Sequence, residues 1–343
     1  MVLHKTLSWA VQGVVCVLLL TAGCAEVEKK GAEAELKPQE QAPAGKPVVL
    51  ALKFSEGGLT TYRSAVESEM SLTYEGSMFK DTDFKSGRKH KKVEMTFDQQ
   101  IQSIDDGGNA TARITVKGLK YLSEDKDKRL FEFDSSKEQG ADNALNKLLG
   151  QSYVIKIAPH GQVLGVIDVS KARTAAAGAY LSNKAAQWLL RADVIMQRHS
   201  VSALPAAGKD RVRVGENWSR TKIFSFPILG SKSYEKVYTL AETKEEEGSQ
   251  IVCVQMKAIP TSEMAEELYK KEGADTFLNM FDSTEEYTGQ LKLDVTNGEI
   301  KKYSERLWSQ WTIVDPEAAE KDTKEPDTIK MGAVRSISLE RVD

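Results

Sequence analysis

The sequence predicts a mainly β, β-rich α+β fold: a curved antiparallel sheet or half-open barrel of about ten strands with a few covering helices. Three observations carry this. Side chains alternate in polarity over long runs, glycine-containing turn clusters separate those runs at short intervals, and helical periodicity is confined to three stretches. The 343 residues, 41% hydrophobic and 28% charged, suit a soluble globular body large enough to bury a core, and exclude collagen-like and multi-pass membrane chains. A net charge of −3 offers no global basic field, so no nucleic-acid partner is expected.

The first 23 residues have their own logic. Lys5 precedes an apolar run from Val14 to Leu20, which is followed by small residues and Cys24. The run is shorter than the roughly 20 residues a spanning helix requires, so it reads as a secretory leader, a signal peptide that is removed. Leu20-Thr21-Ala22-Gly23-Cys24 resembles the lipobox of bacterial lipoproteins. That resemblance implies cleavage before Cys24, diacylglycerol on its sulfur and an acylated (palmitate-type) amino terminus. Several acyl chains, at about 0.8 kcal/mol per buried methylene, make a durable membrane anchor. Residues 24–48 then form the lipidated cysteine and a tether, rich in Ala, Glu, Lys, Gln and Pro and without aromatic residues. Ala25, in lipoproteins of enteric-type bacteria, implies sorting to the outer membrane. The expected location is therefore the bacterial cell envelope, lipid-anchored and facing the periplasm.

The globular domain is assigned to residues 49–343. Tyr62, Val66, Met70, Leu72 and Tyr74 share one parity, predicting a strand over Thr60 to Tyr74 long enough to need a bend or bulge. Val93, Met95, Phe97 and Ile101 mark the next strand, and Ala112, Ile114 and Val116 the one after it. Asp105 to Asn109 is the hairpin between them. Tyr153 to Ile157 and Val163 to Ile167 flank Pro159-His160-Gly161. Tyr234 to Leu240 and Ile251 to Ile259 flank Glu245 to Gly248. Leu291 to Thr296 and Ile300 to Ile313 flank Asn297-Gly298, which predicts a type I′ hairpin. A last strand spans Ile329 to Arg341, after an acidic loop at Asp315 to Asp327. Helices are expected over Asp142 to Leu149, Asn183 to Ser200 and Ser262 to Phe281, each amphipathic and lying as a lid on the concave face.

Candidate functional residues are few. Once Cys16 leaves and Cys24 is lipidated, Cys253 stands alone in an apolar run, where a small buried thiol is expected. The mature chain's histidines, His90, His160 and His199, lack metal-pair spacing, and no C-x-x-C occurs, so no metal or other cofactor is expected. Neither a G-x-S-x-G elbow nor a phosphate-binding glycine loop is present, and no catalytic residue is assigned. His199 is read as a charged or capping helix-end residue. Arg88, Lys89, Lys91 and Lys92 are candidate polyanion contacts, with a solvated hairpin loop as the plainer reading. Trp188, Met196 and Trp218 are candidate apolar-ligand contacts.

Val212 to Trp218, after Leu204-Pro205, has the pattern V-x-V-G-[DE]-x-W and resembles a family of uncharacterised bacterial envelope proteins. That family implies no activity. On physical grounds Gly215 permits a tight turn after an edge-strand valine pair, and Trp218 fills space between helix and sheet. A curved sheet with covering helices also looks like the half-open barrels of periplasmic lipid and lipoprotein carriers. The expected function is a non-enzymatic, membrane-anchored envelope lipoprotein holding an apolar ligand, a lipid or a segment of an envelope protein. A structural or assembly scaffold is the alternative, and a hydrolase comes third.

Overall fold

Alternation of interior and exterior side chains generates almost the whole domain. In a computed structural model the described residues are 44–76, 86–137, 142–226, 230–261, 281–314 and 327–342, all in one compact unit. The strands are β1 (Ala44–Val49), β2 (Leu59–Glu75), β3 (Gly87–Ile104), β4 (Ala110–Asp125), β5 (Lys128–Asp134), β6 (Ser152–Ile157) and β7 (Val163–Asp168). Three helices follow: α1 (Ser170–Ala175), α2 (Tyr180–Leu189) and α3 (Ala192–His199). The chain continues with β8 (Arg211–Val214), β9 (Asn217–Phe226), β10 (Gly230–Glu246), β11 (Ser249–Pro260), β12 (Phe281–Asp294), β13 (Glu299–Val314) and β14 (Thr328–Arg341).

Twelve strands make one antiparallel sheet in the order β7-β6-β4-β3-β2-β14-β13-β12-β11-β10-β9, with β5 also on β4; β1 and β8 pair separately. The sheet is open, with β7 and β9 as the ends of that path. It is also larger than the ten strands expected, because β5 and β9 are strands the hydrophobic pattern alone did not mark. β1 starts inside the stretch read as tether, where Val48 pairs with Val212 of β8. The sheet curls: Phe226 on β9 meets Trp311 on β13 with ring centroids 4.9 Å apart, although β10, β11 and β12 lie between them.

Burial follows the expected parities, since Val93, Met95, Phe97 and Ile101 on β3 and Ala112, Ile114 and Val116 on β4 are all buried. The long strand β2 keeps unbroken register with both β3 and β14; the irregularities fall on its neighbours, between Thr96 and Phe97 and between Ile101 and Ser103. Twist is therefore absorbed beside β2 rather than within it.

The turns divide by backbone geometry. Asp105 closes its hairpin by accepting N–H groups of Gly107 and Asn109 at 3.0 and 2.9 Å, with Gly108 at φ +75°. The Asn297-Gly298 hairpin forms, but not as type I′. Only Gly298 has positive φ, and four residues separate the paired Asp294 and Glu299, with Asp294 Oδ1 accepting the Asn297 N–H. Two-residue turns with positive φ at both centres occur instead at Lys126-Asp127 and Glu247-Gly248. Glycine permits this at no steric cost; Lys126 and Glu247 adopt it because the flanking ladders hold them there.

The helices differ more. Asp142 to Leu149 contains only a 3-10 turn at Asn146–Leu148, although Leu145 and Leu148 are buried as its apolar pattern requires and Gly150 has φ +76°. The helix expected from Asn183 to Ser200 is two, α2 and α3, because Arg191 is extended at ψ 142°, which turns Leu190 into the core. Residues 262–280 and 315–326, expected as a helix and an acidic loop, lie outside the described residues; Phe281 begins β12.

Two single residues also depart from expectation. Cys253 is half-buried, with Glu242 and Lys292 opposite it, and burial and then Glu242 push its thiol pKa up. His199 is not a charged or capping helix end but is buried. Arg198 donates to the Tyr153 hydroxyl at 3.3 Å, leaving that proton for His199 Nε2 at 2.7 Å, and Phe97 meets the imidazole edge-on at 4.6 Å.

Burial, and then the Arg198 charge, hold the His199 pKa well below the ordinary imidazole value. The unfolded chain therefore takes up a proton near pH 6.5 that the folded chain refuses. The stability linked to His199 is intact above about pH 6.5 and declines below it, by up to about 1.4 kcal/mol per pH unit. Urea unfolding of wild type against His199→Gln between about pH 7 and 5.5 should show the steeper decline in wild type. Equal slopes would remove His199 as the cause.

Candidate functional site

Residues paired across antiparallel strands share a face, so the registers chain into rungs across the sheet. One rung runs Trp218, Tyr238, Met256, Gly289, Glu305, Ile337, Val66, Val93 and Tyr121, from β9 to β4. Gly289 is needed there, since a Cβ would come within 3.0 Å of Met256 Cε and 3.1 Å of Glu305 Cγ. The next rung carries Arg220, Lys236 and Ala258 on one arm and Tyr287, Leu307, Arg335, Ser68 and Lys91 on the other.

Burial on this helix-covered face is interrupted at one place. Tyr62 and Ser64 of β2 are buried, as are Met331, Ala333 and Leu339 of β14, yet Val66, Arg335 and Ile337 are only half-buried and Ser68 is exposed. Above them lies a cleft of about 1000 Å³, roofed by Trp188 of α2 and Met196 of α3 and walled by Arg220, Lys222 and Phe224 of β9. Its apolar end adjoins a small void of about 30 Å³ between Val66, Val93, Trp188 and Val194.

Beneath the cleft sits a buried polar layer. Lys236 Nζ pairs with Glu305 at 2.9 and 3.2 Å, and both side chains are nearly inaccessible, at 4% and 7% exposure. Glu305 also accepts the hydroxyls of Tyr303 and Tyr287 at 2.6 Å, Ser202 at 2.8 Å and Tyr238 at 3.0 Å. Burial alone would raise the Glu305 pKa, but Lys236 and the tyrosine hydroxyls outweigh it, and the carboxylate is held below its ordinary range. Burial lowers the Lys236 pKa despite the pairing, and Lys222 and Arg220 add to this. Ser202 Oγ accepts from Lys236 at 2.7 Å while its proton goes to Glu305, an arrangement that restrains the hydroxyl rather than freeing it as a nucleophile. A second layer joins Lys232 to Glu285, which also accepts Tyr234 Oη at 2.9 Å and Trp311 Nε1 at 2.8 Å.

Of the expected ligand contacts, Trp188 and Met196 line the cleft. Trp218 does not. It stacks on Tyr238 at 5.9 Å and donates Nε1–H to Ala203 O, the space-filling role expected of it after the Gly215 turn at φ +92°. The basic cluster is not a hairpin loop but part of β3, and its members face opposite ways. Arg88 points outward and is engaged by Glu69, Glu124 and Asp127 at 3.0 to 3.4 Å, with His90 between Glu67 and Glu124. That neutralisation removes Arg88 as a polyanion contact. Lys92 is exposed on the outward face; Lys89 is exposed on the same face as Lys91 but outside the cleft lining, whereas Lys91 lines the cleft with Nζ 4.1 Å from the Trp188 ring centroid. Cys24 lies outside the described residues.

Sequence reasoning missed Arg220, Lys222, Lys236, Glu305 and Arg335. A signal existed: in Trp218-x-Arg220-x-Lys222-x-Phe224-x-Phe226 the two cations occupy the same parity as the aromatic residues. Charges on an interior parity mark either a buried ion pair or a lined cleft.

Among the described residues no three His, Cys, Asp or Glu side chains gather as a metal-binding set, and no helix is long and apolar enough to cross a membrane. No protein-family model and no curated protein matches the chain. Solved structures with remote likeness include two of different kinds. A structure of lipovitellin concerned with lipid–protein interactions is 11% identical with a TM-score of 0.42; the match covers 85% of this chain but 26% of the lipovitellin chain. DynF, from the dynemicin biosynthesis pathway of Micromonospora chersina, is 7% identical with a TM-score of 0.17, covering 92% of this chain and 94% of its own. Both likenesses are too remote to assign a family or an activity to the chain.

Proposed function

We propose that this protein is a lipid-anchored lipoprotein of the bacterial envelope whose β domain holds an apolar ligand between its sheet and helices α2 and α3. The observation that carries the binding reading is the cleft of about 1000 Å³ beneath Trp188 and Met196. Ligand sites commonly occupy roughly 300–1,000 Å³ and combine apolar walls with a few polar groups, and a domain built only as a packed scaffold has no need of such a space. The anchor reading rests on the lipobox-like residues ending at Cys24.

Native mass spectrometry of the purified domain tests the first part. A co-purifying species of lipid mass supports ligand binding, and its absence after gentle extraction favours the scaffold. Cys24→Ser tests the second. It should abolish incorporation of labelled acyl chains and move the protein from membranes to the soluble fraction, whereas continued labelling would refute attachment at that sulfur.

A further inference from the structure

We propose that the ligand is an anionic amphiphile, its carboxylate or phosphate head held among Arg220, Lys222 and Arg335 and its hydrocarbon tail lying over Val66, Val93 and Ile337 under Trp188 and Met196. This rests on the reading of the cleft as a ligand site and adds the chemical class of the occupant.

The charge inventory of the cleft points to an anion. Its three lining carboxylates already have partners: Glu67 meets His90 at 2.9 Å, Asp193 meets Arg191 at 2.7 Å, and Glu305 meets Lys236. Four lining cations, Lys91, Arg220, Lys222 and Arg335, have no carboxylate partner among the described residues. They are not scattered surface charges either. Arg220, Arg335 and Lys91 share one rung with Lys236, and Lys222 stands one step along β9 on the same face. Lys222 Nζ and the Arg335 guanidinium carbon both lie against the Phe224 ring, 5.7 and 5.2 Å from its centroid.

These cations also keep unused donors. A guanidinium has five N–H groups. Arg335 is seen giving one to Ser225 O at 3.0 Å, and Arg220 one to Leu204 O at 2.8 Å. Like charges placed on an interior parity repel one another and lose hydration, a cost that an anion bound among them offsets. Arg335 and Lys91 are each lowered in pKa by burial, and Lys91 further by Lys184 and Arg191, consistent with a site short of negative charge.

A bare anion would leave the other half of the cleft unexplained. One rung from Arg335 and Lys91, the floor becomes Ile337, Val66 and Val93, with Trp188 and Met196 above and the small apolar void beyond. Charge at one end and hydrocarbon at the other describe an amphiphile.

The test uses the purified full chain with three probes: oleate, its uncharged counterpart oleyl alcohol, and inorganic phosphate, read by tryptophan fluorescence and native mass spectrometry. Oleate should bind about tenfold or more tightly than oleyl alcohol, as charge-assisted hydrogen bonds imply. Lys222→Gln combined with Arg220→Gln should remove most of that preference, lowering oleate affinity far more than oleyl alcohol affinity. Lys222→Gln alone, on an exposed side chain, guards against misfolding and should show part of the loss. Equal binding of the two long-chain probes would overturn the anionic head while leaving the apolar-ligand reading intact. Phosphate that binds by itself and displaces oleate would replace the amphiphile with a free-anion site. Failure of both long-chain probes to bind would overturn this proposal and the ligand reading together.

Discussion

Glu305→Leu should lower the unfolding free energy by about 3–5 kcal/mol, because it leaves the Lys236 ammonium buried without its counter-charge. The same change strips an acceptor from the hydroxyls of Tyr238, Tyr287 and Tyr303. Tyr238 and Tyr303 can still reach Ser202, at 3.2 and 2.9 Å, so the loss centres on Lys236 and Tyr287. Adding Lys236→Met should recover a substantial part of the stability, since a buried pair replaced by apolar side chains of similar volume is often near neutral. Urea unfolding of the two single variants and the double variant gives the coupling directly. A single-variant effect below about 1 kcal/mol would show that water reaches the pair and that the layer is not a dry foundation for the cleft.

Ser68→Trp should abolish ligand capture with little effect on folding. Ser68 points into the cleft from the centre of its floor, in register with Arg335 on one side and Lys91 on the other, yet it is exposed. An indole there occupies the space between the cationic rung and the Trp188 roof without displacing a packed side chain. Substitutions that break no packing typically change stability by about 0.5 kcal/mol or less. The expected result is loss of at least about nine-tenths of oleate binding, corresponding to roughly 1.4 kcal/mol, with an unchanged urea midpoint. Retained binding would place the ligand elsewhere on the molecule.

Much of the architecture was legible in the sequence because strand alternation is a local property. Val93, Met95 and Phe97 show their face through their own spacing, and the Asp105 to Asn109 turn through its residue types. Local rules served less well where the partner decides the outcome. Asn297-Gly298 has the composition of a type I′ turn, but the pairing of Asp294 with Glu299 sets a four-residue connection. Trp188, Leu189, Ala192 and Ile195 keep one helical period, yet burial of Leu190 is achieved by breaking the helix at Arg191. The candidate site was half legible. Trp188 and Met196 follow from an apolar stripe facing the sheet, whereas Arg88 and Lys91, close neighbours in sequence, diverge because alternate strand residues face opposite ways.

What the sequence alone determined was the parity of each strand, and with it which side chains face inward; this depends only on the two-residue repeat of an extended chain. What the tertiary structure decided was which inward residues from distant strands meet. Register set Arg335 beside Ser68 and Lys91, and the curl of the sheet brought β9 across to β13 and β14, so that Arg220 and Lys222 close over a floor built more than a hundred residues away along the chain. Cross-strand register and curvature are collective properties of paired strands, and no single segment encodes them.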